Sequence, residues 1–139
     1  MNTATQYFLS NIDENAIVRA VSARLMSLGC EIISQLTSAD RGIDVIARNY
    51  DPPEMYYVEA KGGTSTVPTS RRYGKPYTKS QIFDRAAKGV FTCVTLRAKF
   101  PILGREKVIL AVPNLPHFHT YLDPLTKQLQ SIGIEVWFL

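Results

Sequence analysis

Gly42-Ile43-Asp44-Val45-Ile46-Ala47 and Tyr57-Val58-Glu59-Ala60-Lys61 are the two stretches on which the reading of this chain turns. Each has the apolar, β-branched make-up of a buried strand. Each also carries charge, which is costly in a strand's interior unless it is paired or holds a cation. Asn49-Tyr50-Asp51-Pro52-Pro53-Glu54 between them has the composition of a turn, so the two stretches read as a hairpin. A hairpin centred between Asp51 and Pro52 sets residue 44 opposite residue 59. Side chains alternate faces along a strand, so Glu59 and Lys61 share a face and Asp44 joins them in that register. Two carboxylates directly across from each other repel, and a divalent cation between them is the natural remedy. The competing reading is a structural network in which Lys61 simply neutralises Glu59; that network leaves Asp44 without a partner.

Outward from the hairpin, the chain reads as alternating elements. Ile17, Val21, Leu25 and Leu28 recur at helical spacing from Asn11 to Leu28, and Gly29 supplies a stop. Glu14 lies three residues before Ile17 and seven before Val21, so it projects from the buried stripe. Two explanations stay open for it: capping-box partner of Asn11, or active-site carboxylate. Glu31 to Thr37 reads as a strand, followed by the turn Ser38-Ala39-Asp40-Arg41-Gly42. Gly62 to Tyr77 has no periodicity, and a structureless connection longer than about 12 to 15 residues is more often functional than not. Thr78 and Gln81 form the capping box of a second helix, carried to about Ala98 on Ile82, Phe83, Ala86, Ala87 and Val90. The β-branched run Thr92 to Thr95 argues weakly for a strand there. Lys107 to Val112 is a strand, Asn114 with Pro116 opens a third helix that Pro124 interrupts or kinks, and Ile134 to Leu139 is a final strand. The order αβββαβαβ implies an α/β fold with a central mixed sheet and helices on both faces.

At 139 residues the chain is one domain, 1–139, large enough for its own core. No apolar run reaches the roughly 18 to 20 residues that span a bilayer, and Met1 to Tyr7 lacks the features of a signal peptide; a cytoplasmic protein is expected. Cys30 and Cys93 are isolated in apolar surroundings, which suits buried reduced thiols. Charge is polarised. Residues 1–60 hold eight of the twelve acids and four of the sixteen bases, whereas residues 61–107 hold eleven bases and only Asp84 and Glu106 as acids. A cationic surface beside a carboxylate pocket suits a polyanion, nucleic acid first; a solubilising basic face is the plainer alternative. His117 and His119, two apart with no carboxylate or Cys cluster, do not read as a metal site. No Walker or dinucleotide glycine motif is present.

The element order, the Asp of the second strand, the Glu-x-Lys of the third and the Glu of the first helix together resemble the PD-(D/E)xK superfamily of restriction-endonuclease-like nucleases. Gly-Ile-Asp-Val-Ile-Ala followed by Val-Glu-Ala-Lys-Gly is most similar to the branches that contain methylation-dependent restriction enzymes and Holliday-junction resolvases. Ile43 stands where the family's name has Pro, which many members lack. The resemblance spans about Glu14 to Val112 and implies a three-layer α/β/α nuclease fold. It implies Asp44 and Glu59 as ligands of Mg2+ or Mn2+, with the Ala60 carbonyl as a third contact and Glu14 binding metal directly or through water. It further implies that Lys61 orients or deprotonates the attacking water, that Gln81 matches a Gln of some branches, and that a homodimer is plausible.

The loop after Lys61 fits a nucleic-acid partner, DNA by expectation. Thr64 and Ser65 offer hydroxyls, and Arg71, Arg72, Lys75 and Lys79 offer charge; such phosphate contacts position a strand without reading its sequence. Tyr73 and Tyr77 stack on bases or pin the loop to the core, with pinning favoured for at least one. Two further readings stay open: a non-catalytic nucleic-acid-binding module on the same fold, and a partner-binding protein in which these charges are incidental.

Overall fold

The charged hairpin forms, in the register its turn dictates. In the computed structural model, which describes residues 12–37, 39–64, 75–100 and 105–139, β2 (Val45–Tyr50) pairs antiparallel with β3 (Pro53–Ala60) from Val45↔Val58 to Tyr50↔Pro53. One more step of the same register sets Asp44 against Glu59. The strands run further toward the turn than composition suggests: only Asp51 and Pro52 separate the last pair. β2 in turn begins later than expected, at Val45, so Asp44 stands just ahead of the strand. Gly42 explains this, because it turns the chain at φ +132° against Leu36, a conformation that L side chains rarely adopt.

Around the hairpin the sheet is five-stranded in the order β1-β2-β3-β4-β5, with β1 at Glu31–Gln35, β4 at Glu106–Val112 and β5 at Ile134–Phe138. β1, β2 and β3 are antiparallel neighbours, whereas β3, β4 and β5 run parallel, as helical crossovers between them require. The result is an α/β domain with a mixed sheet.

α1 (Glu14–Ser27) covers one face, burying Ile17, Val18, Val21 and Leu25 against Val45, Ala47, Val58, Ala60 and Ile109. Each such side chain contributes roughly 1.5–3 kcal/mol, so packing holds this helix in place. Its N-cap is Asp13, whose Oδ1 accepts from Ala16 N at 2.8 Å. Capping of Glu14 by Asn11 is therefore corrected: Glu14 is the first helical residue, and Asn11 lies outside the described residues.

α2 (Lys79–Lys99) covers the other face with α3 (Pro116–Leu122), a 3-10 turn (Asp123–Leu125) and α4 (Thr126–Ser131). Its start is the expected capping box: Thr78 Oγ1 accepts from Gln81 N, and Gln81 Oε1 accepts from Thr78 N at 2.8 Å. The weak strand signal of Thr92–Thr95 loses to burial, since Ile82, Ala86, Cys93 and Leu96 line one stripe packed on Val108, Leu110 and Phe118. Pro124 does interrupt the last helical segment, through the 3-10 turn. Arg97, 8% exposed, donates to the carbonyls of Phe100 and Glu106 and so ties the end of α2 to β4. Cys30 and Cys93 are free and buried. Among the described residues, no helix is long and apolar enough to cross a membrane.

Candidate active site

The site sits at the carboxyl end of β3, where the antiparallel hairpin gives way to the parallel half of the sheet. Asp44, Glu59 and Lys61 share the face covered by α2. Lys61 N donates to Ala111 O at 2.9 Å, which continues the β3 pairing one residue beyond the strand. Lys61 Nζ lies 2.9 Å from Glu59 Oε1, and their side chains are only 13% and 12% exposed. Asp44 Oδ2 accepts the backbone N–H of Ala60 at 2.7 Å. The aspartate that a Glu59–Lys61 network leaves over thus finds a partner in the neighbouring strand's backbone.

Glu14 reaches the same place through its helix terminus. Gly62 packs so tightly on this terminus that a Cβ there would lie 2.2 Å from Glu14 N and 2.6 Å from Asp13 C; no residue but glycine fits. Gly63 N donates to Ile12 O at 2.7 Å, and Asp13 bridges Thr64. The segment after Lys61 is therefore laced to the start of α1, which brings Glu14 beside the hairpin.

Electrostatics record the crowding. Burial, then the charges of Glu59 and Glu14, push the Asp44 carboxyl up to about 7, against the opposing Ala60 hydrogen bond and Lys61. Burial likewise raises the Glu14 carboxyl; Lys61 opposes, Glu59 adds to the rise and Arg85 opposes. Glu59 thus raises both carboxyls, and Glu14 adds to the rise at Asp44.

This donor chemistry suits a hard cation, which takes oxygen ligands and typically needs only one or two carboxylates, retaining waters for the rest. Among the described residues, no three of His, Cys, Asp and Glu are gathered into a group that could hold a metal. The fit is that of the pair Asp44 and Glu59, which the hairpin register sets against each other. Ala60, the third contact implied by resemblance, is the buried last residue of β3 and gives its N–H to Asp44.

The remaining candidates fall in different places. Gln81 is engaged in the α2 cap through Oε1. Thr64, 3% exposed, is inside the lacing and not on an open surface. Lys75 and Lys79 are exposed. Ser65, Arg71, Arg72 and Tyr73 lie outside the described residues. Tyr77 is pinned: its N donates to Gly63 O at 2.8 Å and its ring packs against the α2-side core. His119 has Asp123 at one ring nitrogen and Asn114 at the other.

Two residues here were not singled out from sequence. Gly89 lets α2 lie low, since a Cβ would meet Leu110 Cδ1 at 2.7 Å and Lys61 Cγ at 3.4 Å. Arg85, one turn before it, lies over the Tyr77 ring. The four-residue spacing of Gln81, Arg85 and Gly89 is the signal that could have found both. Compared with family models, curated proteins and solved structures, the chain matches none.

Proposed function

We propose that the chain is a metal-dependent nuclease of the restriction-endonuclease-like type, hydrolysing phosphodiester bonds in nucleic acid, DNA first. The observation that carries this reading is the convergence of Asp44, Glu59, Lys61 and Glu14 at the carboxyl end of β3, with Asp44 pushed up to about 7. Crowded carboxylates are destabilising alone and useful around a cation.

Asp44 and Glu59 would hold Mg2+ or Mn2+, with Glu14 contributing through water. Bound there, the ion would polarise a phosphoryl oxygen, activate water and stabilise developing charge. Lys61, fixed on Glu59, stands two residues along the same face from it and can hold the attacking water or supply positive charge to the phosphate. The Ala60 N–H holds the Asp44 carboxylate in orientation. The basic segment that begins after Lys61 supplies phosphate contacts.

One observation favours a second reading. Lys61 already neutralises Glu59 at 2.9 Å, as it would in a binding module that has kept the fold without catalysis. Incubation of supercoiled plasmid with Mg2+ or Mn2+ separates the two. The nuclease nicks or linearises it, and Asp44→Ala and Lys61→Ala lose that activity while melting like folded protein. Absence of cleavage of DNA and RNA in every form, with salt-sensitive binding retained, supports the module.

A further inference from the structure

Two cations flank the end of β3 on the α2 side: Lys61, whose Cγ lies against Gly89, and Arg85, one turn before that glycine on the helix. Lys61 is paired with Glu59. Arg85 forms no salt bridge among the described residues. Its Nη2 donates to the Tyr77 hydroxyl at 2.9 Å, and its Cζ sits 4.8 Å from the centroid of the Tyr77 ring. Both partners are neutral, so they immobilise the guanidinium without cancelling its charge. Among the described residues, one of its five N–H donors is engaged in a hydrogen bond.

Tyr77 is itself fastened to Gly63, two residues beyond Lys61. Gly89, which Lys61 Cγ approaches, lies about one turn, roughly 6 Å of rise, from Arg85 along α2. Two routes therefore place Arg85 beside the end of β3: the helix stripe that runs to Gly89, and the Tyr77 ring and hydroxyl, themselves fastened through the Tyr77–Gly63 bond. A planar, half-buried guanidinium held on a neutral ring matches a phosphate's oxygens.

We propose that Arg85, held by Tyr77, is the phosphate-gripping residue of this site and seats a nucleic-acid phosphate beside the carboxylates. The assignment rests on the nuclease reading and adds to it a named contact. A mere counter-charge for Glu14 would leave nucleic-acid affinity alone, so affinity is the discriminating readout.

The test measures binding of a short fluorescein-labelled DNA duplex in EDTA by anisotropy across a salt series, beside plasmid cleavage in Mn2+. Arg85→Ala is expected to weaken binding roughly 10- to 100-fold and to make the salt slope shallower by about 1. Arg85→Lys should recover part of the affinity, and Tyr77→Phe, which keeps the ring, should fall between. Melting curves exclude unfolding as the cause, and Arg85→Lys answers if Arg85→Ala does not fold. Wild-type affinity and slope in Arg85→Ala overturn the assignment even where the wild type cleaves. Binding lost in Arg85→Ala with no cleavage by the wild type upholds the phosphate contact and overturns the nuclease. If the wild-type chain does not bind the duplex at low salt, both fall.

Discussion

Asp44 is tied to the opposite strand by a single hydrogen bond, its Oδ2 accepting from Ala60 N at 2.7 Å. That bond favours the carboxylate, yet burial and the nearby Glu59 and Glu14 outweigh it and hold the carboxyl at about 7 against an ordinary 3.8. Between those values the folded chain binds a proton that the unfolded chain has released. The Asp44 contribution to stability is therefore fully present below about pH 4 and is lost as pH rises through about 7. Denaturant melts across this range should show stability falling with pH in the wild type, and Asp44→Asn should flatten the slope.

A cation reverses that dependence. Ligand carboxylates must be deprotonated, so metal binding competes with the Asp44 proton. Mn2+ affinity by calorimetry is expected to climb as pH rises to just above 7, with proton release that varies with buffer ionisation heat. Asp44→Asn should weaken both effects, leaving the share that Glu14 carries.

Gly62 and Glu14 meet backbone to backbone, which leaves nothing flexible to yield. Gly62→Ala is expected to cost more than about 2 kcal/mol and to separate Glu14 from the hairpin. Thermal melts read the first effect; the second should appear as cleavage reduced beyond what the loss of folded protein explains.

Gly89 poses the opposite balance. A glycine inside a helix gives up about 1 kcal/mol relative to alanine, but a Cβ here would lie 2.7 Å from Leu110 Cδ1 and press on Lys61. Overpacking costs about 1–3 kcal/mol, so Gly89→Ala should be net destabilising and slow cleavage. Higher stability in melts would contradict the close packing of α2 on β4.

Arg97 tests the scaffold apart from the site. Its guanidinium satisfies the carbonyls of Phe100 and Glu106 from a buried position. Arg97→Met should cost about 2–4 kcal/mol while Mn2+ affinity of the folded fraction stays at wild-type level.

The hairpin register was readable because two prolines and an aspartate fix the turn, and one turn centre determines every pair along both strands. The capping box of α2 was equally plain, since Thr78 and Gln81 satisfy each other locally. The start of β2 was not, because Gly42 acts through its approach to Leu36, a contact made only in the fold. The cap of α1 was misplaced for a similar reason: Asn11 and Asp13 are both good caps, and the lacing of residues 12–14 to Gly62, Gly63 and Thr64 selects Asp13. Arg85 escaped notice because its meaning depends on Tyr77 and Lys61, which only tertiary structure brings near it.

The central claim is that Asp44 and Glu59 together hold a divalent cation for phosphodiester hydrolysis. Anomalous diffraction from crystals soaked in Mn2+ tests it most directly. A manganese peak bridging the Asp44 and Glu59 carboxylates is the expected result; no peak there under saturating Mn2+, with Lys61 still paired to Glu59, would contradict the account.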